Sequence, residues 1–418
     1  MLCPSLLLAQ GEGTVVGKVL DKNTQEPLIG VSVYLEDTQT GTTTDSNGRY
    51  QIEGIEPGSY NVVASYIGYQ QKTKFNIVVN SGNDYVLNFS LSETAEALEA
   101  VEVTAEKEAT VATVETPNSV QRLTTEEIKS NPGGNFDISR VVQALPGVGG
   151  TSGSVGGFRN DIIIRGGAPN ENVYYLDGIE VPNINHFSTQ GSAGGPVGIL
   201  NVSFIEDVTL NSSSFHARYD NALSSVLQFK QRDGNPYKHQ GNFRLSGTEA
   251  AITFEGPIGE KTTYLASARR SYLQFLFEAL DLPIRPNYWD FQYKITHQIN
   301  ERLSVSAIGL GAIDEFSFAE PEDSSPENEY ILRSQPSINQ NSVTNGVSLR
   351  KSLDKGFWRL ALSHNFFENR LDRFADKDEG NEDKRLLKTR STESEYKARF
   401  EANQFAGDWK VSYGGALQ

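Results

Sequence analysis

The stretch Asp161-Ile-Ile-Ile-Arg-Gly-Gly-Ala-Pro-Asn-Glu-Asn-Val-Tyr-Tyr-Leu-Asp-Gly-Ile-Glu-Val-Pro182 is the segment that decides the fold of this chain. A short apolar strand ends in Arg165-Gly166-Gly167, a Pro/Asn turn follows, and a second strand ends in Leu176-Asp177-Gly178. The continuous apolar run at 162–164 favours a strand that is covered on both faces. Because the stretch has no nucleophile beside a base and no metal-ligand spacing, it predicts a structural motif and no catalysis.

This strand–turn–strand pattern resembles the plug domain of TonB-dependent outer-membrane receptors, where an Ile-Arg-Gly strand precedes a Tyr-Leu-Asp-Gly turn. The resemblance implies import of a solute across the outer membrane of a Gram-negative bacterium, without enzymatic activity, metal or cofactor. The candidate site residues in the motif are Arg165, Gly166, Gly167, Asp177 and Gly178. We expect Arg165 to pair with carboxylates of the plug or barrel, and Asp177 to stabilise its turn by bonding its own backbone. Direct contact of Arg165 and Asp177 with a ligand is the alternative.

The residues around the motif, from 111 to 232, predict the rest of an α+β plug. Thr124 and Glu127 form a capping-box pattern that predicts a helix over 125–130. A second helix is predicted by one apolar stripe, which consists of Ile138, Val141, Val142 and Leu145. Alternating strands follow at 204–210 and 225–230. The glycine-rich loop at 149–157 is not a phosphate loop, because it lacks the Gly-Lys-Ser/Thr ending and follows a helix.

Composition limits the function classes that remain open. The 418 residues include 53 Asp+Glu against 37 Lys+Arg, which argues against a nucleic-acid binder with a basic stripe. The sequence contains no run of 18 apolar residues, so it predicts no transmembrane helix. A transmembrane β-barrel remains compatible with the sequence, because its alternating strands give a much weaker signal.

Residues 1–10 are predicted to be the remnant of a signal peptide, with an apolar core but without the usual positive start. We therefore expect the true start codon to lie upstream; a frayed apolar terminus is the alternative. Cys3 falls in this segment and lacks the context of a lipoprotein site. The mature protein is then expected to contain no cysteine.

Residues 11–92 alternate with period two between closely spaced turns, which predicts a small β-sandwich. The pieces Val16–Val19, Pro27–Val31, Gly41–Asp45, Gly48–Tyr50 and Pro57–Tyr60 resemble the carboxypeptidase-regulatory-like domain that precedes the plug in Bacteroidetes-type receptors. None of the five histidines begins a zinc-peptidase motif, and none lies in this segment. The resemblance therefore implies a fold and no peptidase activity.

Residues 93–110 form an acidic, Ala-rich linker that contains one strand-prone patch. Such a patch suits binding by strand addition to the edge of a partner's sheet. It resembles a TonB box, the segment that the energy-transducing protein TonB binds in the periplasm. The box residues are Val101, Glu102, Val103, Thr104 and Ala105. A simple linker, or the last strand of the first domain, is the alternative.

Residues 233–418 predict the first part of an antiparallel transmembrane β-barrel, with about nine strands of mostly nine to eleven residues. Tight turns near 258–261, 300–302, 354–356 and 406–407 alternate with long links at 271–287, 314–341 and 373–390. This layout is typical of outer-membrane barrels, whose short turns are periplasmic. Because an open edge in lipid leaves backbone groups unsatisfied, we expect the chain to be the N-terminal part of a larger protein.

The sequence as a whole predicts a mainly β protein in the outer membrane, with a sandwich, a plug and part of a barrel. The expected partners are TonB, outer-membrane lipid and an unidentified solute, with a surface lipoprotein left open and no nucleic acid. The acidic long links are predicted to be solvated surface; capture of a cation is the alternative. A surface adhesin or scaffold without transport is the second functional hypothesis, and a signalling receptor is the third.

Overall fold

The computed structural model describes residues 11–94, 120–124, 127–128, 131, 137–150, 161–188, 195–212, 215–322, 325–406 and 409–418. The predicted signal-peptide remnant and the predicted TonB box at 101–105 lie outside the described residues. So do most of the first predicted plug helix and much of the glycine-rich loop. Within the described residues, no helix is long and apolar enough to cross a membrane.

The first domain is a β-sandwich, because alternate side chains of its strands are apolar and face each other across two sheets. One sheet has the strand order β4–β1–β7, with β8 also paired to β1, and the other has the order β3–β2–β5–β6. The core includes Val15, Val33, Leu35 and Tyr50. The strands are β1 (Gly13–Asp21), β2 (Ser32–Leu35), β3 (Gly41–Thr43), β4 (Arg49–Ile55), β5 (Gly58–Ser65), β6 (Lys72–Val79), β7 (Tyr85–Val86) and β8 (Phe89–Leu91).

The second domain is the α+β plug, built on a five-stranded sheet of order β13–β12–β17–β16–β9. Strands β12 and β17 run parallel, and the other neighbours in this sheet are antiparallel. Its elements are β9 (Val120–Thr124), helix α1 (Ile138–Gln143), β10 (Val148–Gly149), β11 (Ile163–Ile164), β12 (Asn172–Leu176), β13 (Ile179–Val181), β14 (Asn185–His186), β15 (Val197–Gly198), β16 (Ile205–Ser212) and β17 (Ser225–Gln231). Short 3₁₀ turns occupy Pro169–Glu171 and Val202–Phe204.

Helix α1 confirms the second predicted plug helix but is shorter than its apolar stripe. It begins after Asp137, whose carboxylate accepts the N–H of Ser139 at 2.9 Å, as an N-cap does. The helix ends at Gln143, and Gly147 then adopts a φ of +79°. Leu145 consequently lies beyond the helix, although it still packs against the plug core. The predicted stripe placed Leu145 in the helix, but only Ile138, Val141 and Val142 of that stripe are helical.

The third region is an antiparallel sheet of nine described strands in sequential order, as predicted for the first part of a barrel. The strands are β18 (Gln240–Leu245), β19 (Glu249–Pro257), β20 (Thr262–Ser271), β21 (Ile284–Asn300), β22 (Leu303–Phe318), β23 (Ser337–Leu353), β24 (Gly356–Phe374), β25 (Arg385–Ala406) and β26 (Trp409–Leu417). The links on one side hold helices α2 (Leu273–Ala279) and α3 (Pro326–Ser334) and 3₁₀ turns at Ala375–Lys377 and Glu382–Lys384.

The barrel strands are longer than predicted, and the long links are correspondingly shorter. Strands β21 to β25 have 16 to 22 residues each, whereas the predicted strands at 288–299, 303–313, 342–353, 357–372 and 391–405 are each shorter. For example, β23 was expected to begin at 342 and begins at Ser337, whose Cα pairs with that of Asp372. The polar ends of these strands remain hydrogen-bonded to their neighbours, so the ladder continues where apolar alternation has stopped.

The two faces of the barrel sheet differ in chemistry. On β21, Trp289, Phe291 and Tyr293 are exposed on the outer face. The residues between and after them, Asp290, Gln292 and Lys294, are buried. This alternation places apolar side chains on the outer face and polar side chains towards the plug, a pattern typical of transmembrane barrels.

Candidate functional site at the plug–barrel interface

The most deeply buried polar contact between plug and barrel centres on His186 of β14. Its Nδ1 lies 2.6 Å from Asp314 Oδ1 on β22, and its Nε2 lies 3.0 Å from Asp290 Oδ2 on β21. The ring also stacks on Tyr288, with 3.9 Å between the ring centroids. His186 is fully buried and Asp290 is 1% exposed, so this plug strand is held to the barrel wall without solvent between them.

Arg269 of β20 extends this contact into a network. Its Nε donates to Asp290 Oδ2 at 2.6 Å, and its Nη1 lies 3.3 Å from Glu249 Oε2. Its Nη2 donates to the carbonyl oxygen of Gly198 in the plug at 2.5 Å. We call His186, Glu249, Arg269, Asp290 and Asp314 the His186 cluster. The cluster ties two short plug strands, β14 and β15, to four barrel strands.

The geometry of the His186 cluster requires a protonated imidazole. Each ring nitrogen faces a carboxylate oxygen, and only the imidazolium form donates from both nitrogens. Burial opposes the charge, but Asp314 and Asp290 outweigh it and raise the pKa of His186 above its usual value. With Arg244, which pairs with Glu249 at 2.7 Å, three cations then balance three carboxylates. Neutral His186 would leave this buried group with a net negative charge.

Asp177 and Gly178 form the turn between β12 and β13, and both have positive φ, +51° and +82°. Two such residues in succession are typical of a tight type I′ hairpin turn. The carboxylate of Asp177 accepts hydrogen bonds from the N–H and the Nε2 of Gln231, at 2.9 and 3.1 Å. It also pairs with Lys294 of the barrel, Nζ to Oδ2, at 3.1 Å. The expected bond from Asp177 to its own turn is therefore replaced by bonds to β17 and the barrel wall.

Gly178 lies against the barrel strand β24. A Cβ at this position would collide with the guanidinium group of Arg359, which donates to the carbonyl oxygen of Asp177 at 3.1 Å. Arg359 also pairs with Glu401 of β25. Glycine at 178 is therefore favoured by its backbone conformation, and a larger residue would also have to displace the guanidinium group of Arg359.

Arg165 and the glycines after it form a second tight turn. Arg165 has a φ of +49°, and its N–H donates to the carbonyl oxygen of Gly147 at 3.0 Å. Gly166 has a φ of +83°. A Cβ on Gly167 would collide with the side chain of Ser224. The pairing of Arg165 with carboxylates stays a prediction. The turn that contains Arg165 contacts the segment after helix α1, whereas the turn that contains Asp177 contacts the barrel.

Two further ion pairs join the plug to barrel strand β25. Glu180 of β13 pairs with Lys397 at 2.8 Å, and Asp220 pairs with Arg399 at 2.6 Å. Arg399 Nη2 also contacts the hydroxyl oxygen of Tyr175 at 2.8 Å. Burial opposes the charge of Asp220, but Arg399 lowers the pKa of this carboxyl below its usual value. The plug is thus bound to the barrel wall by separate charged contacts around its circumference.

The His186 cluster was not predicted from the sequence. His186 was considered only as a possible zinc ligand, and its partners lie 104 and 128 residues further along the chain. One signal was available: the alternation of Asp290, Gln292 and Lys294 with aromatic residues marks polar side chains on an inner face. Among the side chains that the structure describes, no group of His, Cys, Asp or Glu is placed to hold a metal ion.

Comparison with known proteins assigns both N-terminal domains. Residues 15–103 match the family described as CarboxypepD_reg-like domain, and residues 112–226 match the TonB-dependent Receptor Plug Domain. A curated relative, TonB-dependent receptor P39 of Formosa agariphila, is 32% identical over 189 residues. These cover 44% of this chain and 17% of that protein.

Solved structures resemble the chain in fold. A ferric enterobactin receptor (PfeA) from Pseudomonas aeruginosa superimposes with a TM-score of 0.53 at 17% identity, over 71% of this chain and 48% of the receptor. The siderophore receptor PirA from Acinetobacter baumannii gives a TM-score of 0.50 at 16% identity, over 71% and 47%. The chain thus spans about half the length of the solved receptors that it resembles.

The fold and the interface together define a plugged β-barrel with an N-terminal regulatory-like sandwich. The charged contacts of His186, Asp177 and Glu180 are made where such a plug meets its barrel. Residues 112–226 thus match a TonB-dependent receptor plug domain, and a carboxypeptidase-regulatory-like domain precedes it at residues 15–103.

Proposed function

We propose that the complete protein imports a solute across the outer membrane, with energy from the inner-membrane proton gradient delivered through TonB. The solute would bind the long links and the outward face of the plug. TonB would then bind residues 101–105 by strand addition and pull, so that the plug shifts or partly unfolds. The chain itself carries out no covalent chemistry in this scheme.

The observation that carries this proposal is the chemistry of the plug–barrel interface. A plug that must move needs contacts that can separate and re-form, and buried charge pairs can exchange their partners for water as they separate. The His186 cluster, the Asp177–Lys294 pair and the Glu180–Lys397 pair all join plug to barrel in this way. A plug fixed for purely structural purposes would be served equally well by an apolar seam.

The solute is not defined by these contacts. The likeness to siderophore receptors is a likeness in fold at 16–17% identity, so it carries no ligand across. The same scheme allows two more specific proposals. One is a surface lipoprotein that binds the receptor, and the other is capture of a cation by acidic links such as 319–336 and 375–384. The adhesin hypothesis is disfavoured, because an adhesin scaffold has no need of a plug sheet seated on an inner barrel face.

Substitution Val103→Pro in the full-length receptor tests the TonB contact. Proline removes a backbone donor from the added strand, so binding of the purified periplasmic domain of TonB should weaken at least about tenfold. The matched control is Val111→Pro, which makes the same change just after the linker and outside the box. Titration of fluorescently labelled TonB domain onto receptor in lipid nanodiscs measures both. Equal affinities for the two variants would refute the assignment of residues 101–105.

A further inference from the structure

The N-terminal sandwich is seated on the edge of the barrel by a buried polar contact at Asp84. One carboxylate oxygen of Asp84 accepts from Asn235 Nδ2 at 2.8 Å, and the other pairs with Lys238 Nζ at 2.5 Å. Its backbone N–H donates to Gln240 Oε1 at 2.8 Å, and its carbonyl oxygen accepts from Gln240 Nε2 at 3.0 Å. Asp84 and Asn235 are both buried. We call these four residues the rim clamp.

The barrel side of the rim clamp is itself held in place. Glu255 of β19 accepts the N–H of Asn235 at 3.0 Å and Nε2 of Gln240 at 3.0 Å. The same carboxylate pairs with Arg232 through both oxygens, at 2.5 and 2.9 Å. Such a bidentate pair fixes the orientation of the carboxylate. The surface that receives Asp84 is therefore ordered by the barrel and does not depend on the sandwich alone.

Further contacts join the sandwich to the tight-turn side of the barrel. Asn83 Nδ2 donates to the carbonyl oxygen of Gly241 at 3.0 Å. Arg49 Nη1 donates to the carbonyl oxygen of Glu260 at 3.2 Å, in the turn between β19 and β20. Glu26 pairs with Arg302 at 3.2 Å, in the turn between β21 and β22. The sandwich thus contacts the start of β18 and two successive turns.

The relation of the sandwich to the plug is different. Asn88 Nδ2 lies 3.5 Å from Glu206 Oε2 of the plug, at the outer limit of a hydrogen bond. A cavity of about 2730 Å³ is lined by the sandwich, the plug sheet and the barrel wall. Thr94, the last described residue after the sandwich, and Val120, the first of β9, both line this cavity. Since β9 is the end strand of the plug sheet, the last described residue of the sandwich and the end strand of the plug both border this cavity.

We propose that the sandwich is a fixed anchor on the barrel rim, held by the rim clamp, and that it stays seated when the plug moves. The inference rests on the proposed function for its purpose. A pull on the segment between the two domains would then act on a stationary sandwich at one end and on the edge strand β9 at the other. The plug would shift or partly unfold, while the sandwich would stay bound to the barrel rim.

Hydrogen exchange across a urea series tests the anchor in the full-length receptor in lipid nanodiscs. We expect peptides covering 81–91 and 235–245 to stay protected at urea concentrations where peptides covering 120–124 and 205–212 exchange. The difference in exchange rate should be at least about tenfold, because separate cooperative units open independently. Simultaneous loss of protection in both sets would overturn the proposal.

Substitution Asp84→Ala tests the rim clamp itself, with Glu56→Ala, at an exposed position of the same domain, as the matched control. Asp84→Ala should raise exchange in 81–91 and 235–245 at least about tenfold and leave the plug peptides within about twofold. Unchanged exchange in 81–91 would mean that Asp84 does not seat the sandwich. Equal acceleration in the plug peptides would mean that sandwich and plug form one unit.

A pair of engineered thiol cross-links provides a second measurement. Asp84→Cys with Asn235→Cys, joined by a flexible bis-maleimide, would link sandwich to rim, and Asn88→Cys with Glu206→Cys, joined by the same reagent, would link sandwich to plug. After cross-linking, the second pair should slow plug exchange at least about tenfold and the first should leave it within about twofold of the wild type. The reverse pattern would contradict a fixed anchor. None of these measurements needs TonB or the solute, so failure of the anchor is distinguished from failure of the proposed function, which Val103→Pro tests.

Discussion

The core of the N-terminal sandwich and the interface between plug and barrel bury different kinds of side chain. The sandwich core consists of apolar side chains such as Val33 and Leu35, with Tyr50 Oη bonded to the carbonyl oxygen of Leu87 at 2.6 Å. The plug–barrel interface adds buried ions, with His186 between two aspartates. Apolar burial favours permanence, because separating the faces exposes them to water. Charged contacts allow separation, because each partner is well solvated once it is released.

The largest effect is expected from Asp290→Ala, which removes one of the two carboxylates that face His186 and the acceptor of Arg269 Nε, in a buried site. Breaking a buried pair in this way costs about 3–5 kcal/mol. The urea midpoint for exchange of plug peptides should therefore fall steeply, while that of the sandwich stays constant. Glu315→Ala removes a carboxylate from the exposed face of the adjacent strand and is the control. Equal shifts for Asp290→Ala and Glu315→Ala would remove the His186 cluster as the basis of plug docking.

Leu35→Ala makes the corresponding change in the apolar region. Removal of a fully packed leucine side chain should destabilise the sandwich by about 3 kcal/mol through lost burial and the cavity that remains. Sites this far apart without shared partners should act independently. Exchange in 13–21 and 32–35 should accelerate and plug exchange should not. Coupled acceleration of the plug would show that the two regions are energetically continuous.

The pH dependence of plug docking should be smaller and should come from His186. Because its pKa is raised on folding, its contribution is fully present below about pH 6.5 and is lost as pH rises through the raised pKa. Exchange of plug peptides, corrected for the intrinsic effect of pH, should accelerate as the pH rises through the raised pKa of His186. His186→Asn should flatten this profile, and the sandwich should show no matching slope. A wild-type profile as flat as that of His186→Asn would argue against the imidazolium.

The smallest difference is expected between two glycine substitutions at positions with nearly equal φ. Gly68 in the sandwich has a φ of +81° and open space around it, whereas Gly178 has a φ of +82° and contacts Arg359. Alanine at either position carries the strain of a left-handed conformation, about 1 kcal/mol. At Gly178 it must also displace Arg359, so we expect a further loss of about 1 kcal/mol. The urea midpoints of the two domains measure the loss of stability that each substitution causes. Equal losses of stability would mean that Arg359 moves aside at no cost.

The order of domains and the nine barrel strands could be predicted from the sequence, because they depend on local alternation and turn residues. The turn at Asp177 and Gly178 was likewise placed correctly, since Asp-Gly favours positive φ. The partners of Asp177 could not be predicted, because Gln231 and Lys294 are brought close only by the tertiary fold. The same reason applies to His186, whose role depends on two strands that no local pattern connects to it. The start of β23 was predicted too late in the sequence. The strand begins at Ser337, because pairing with β24 extends beyond the residues that alternate between apolar and polar.

The excess length of the barrel strands has a consequence for where the receptor meets its surroundings. Strand β25 has 22 residues, which at about 3.4 Å per residue and a tilt of about 40° reaches roughly 55 Å along the membrane normal. The apolar band of an outer-membrane barrel is only about 25 Å tall. The part of β25 from Lys388 to Glu395 contains no apolar residue and lies towards the long links. The barrel wall therefore continues beyond the height of such an apolar band as a polar collar on the side of the long links.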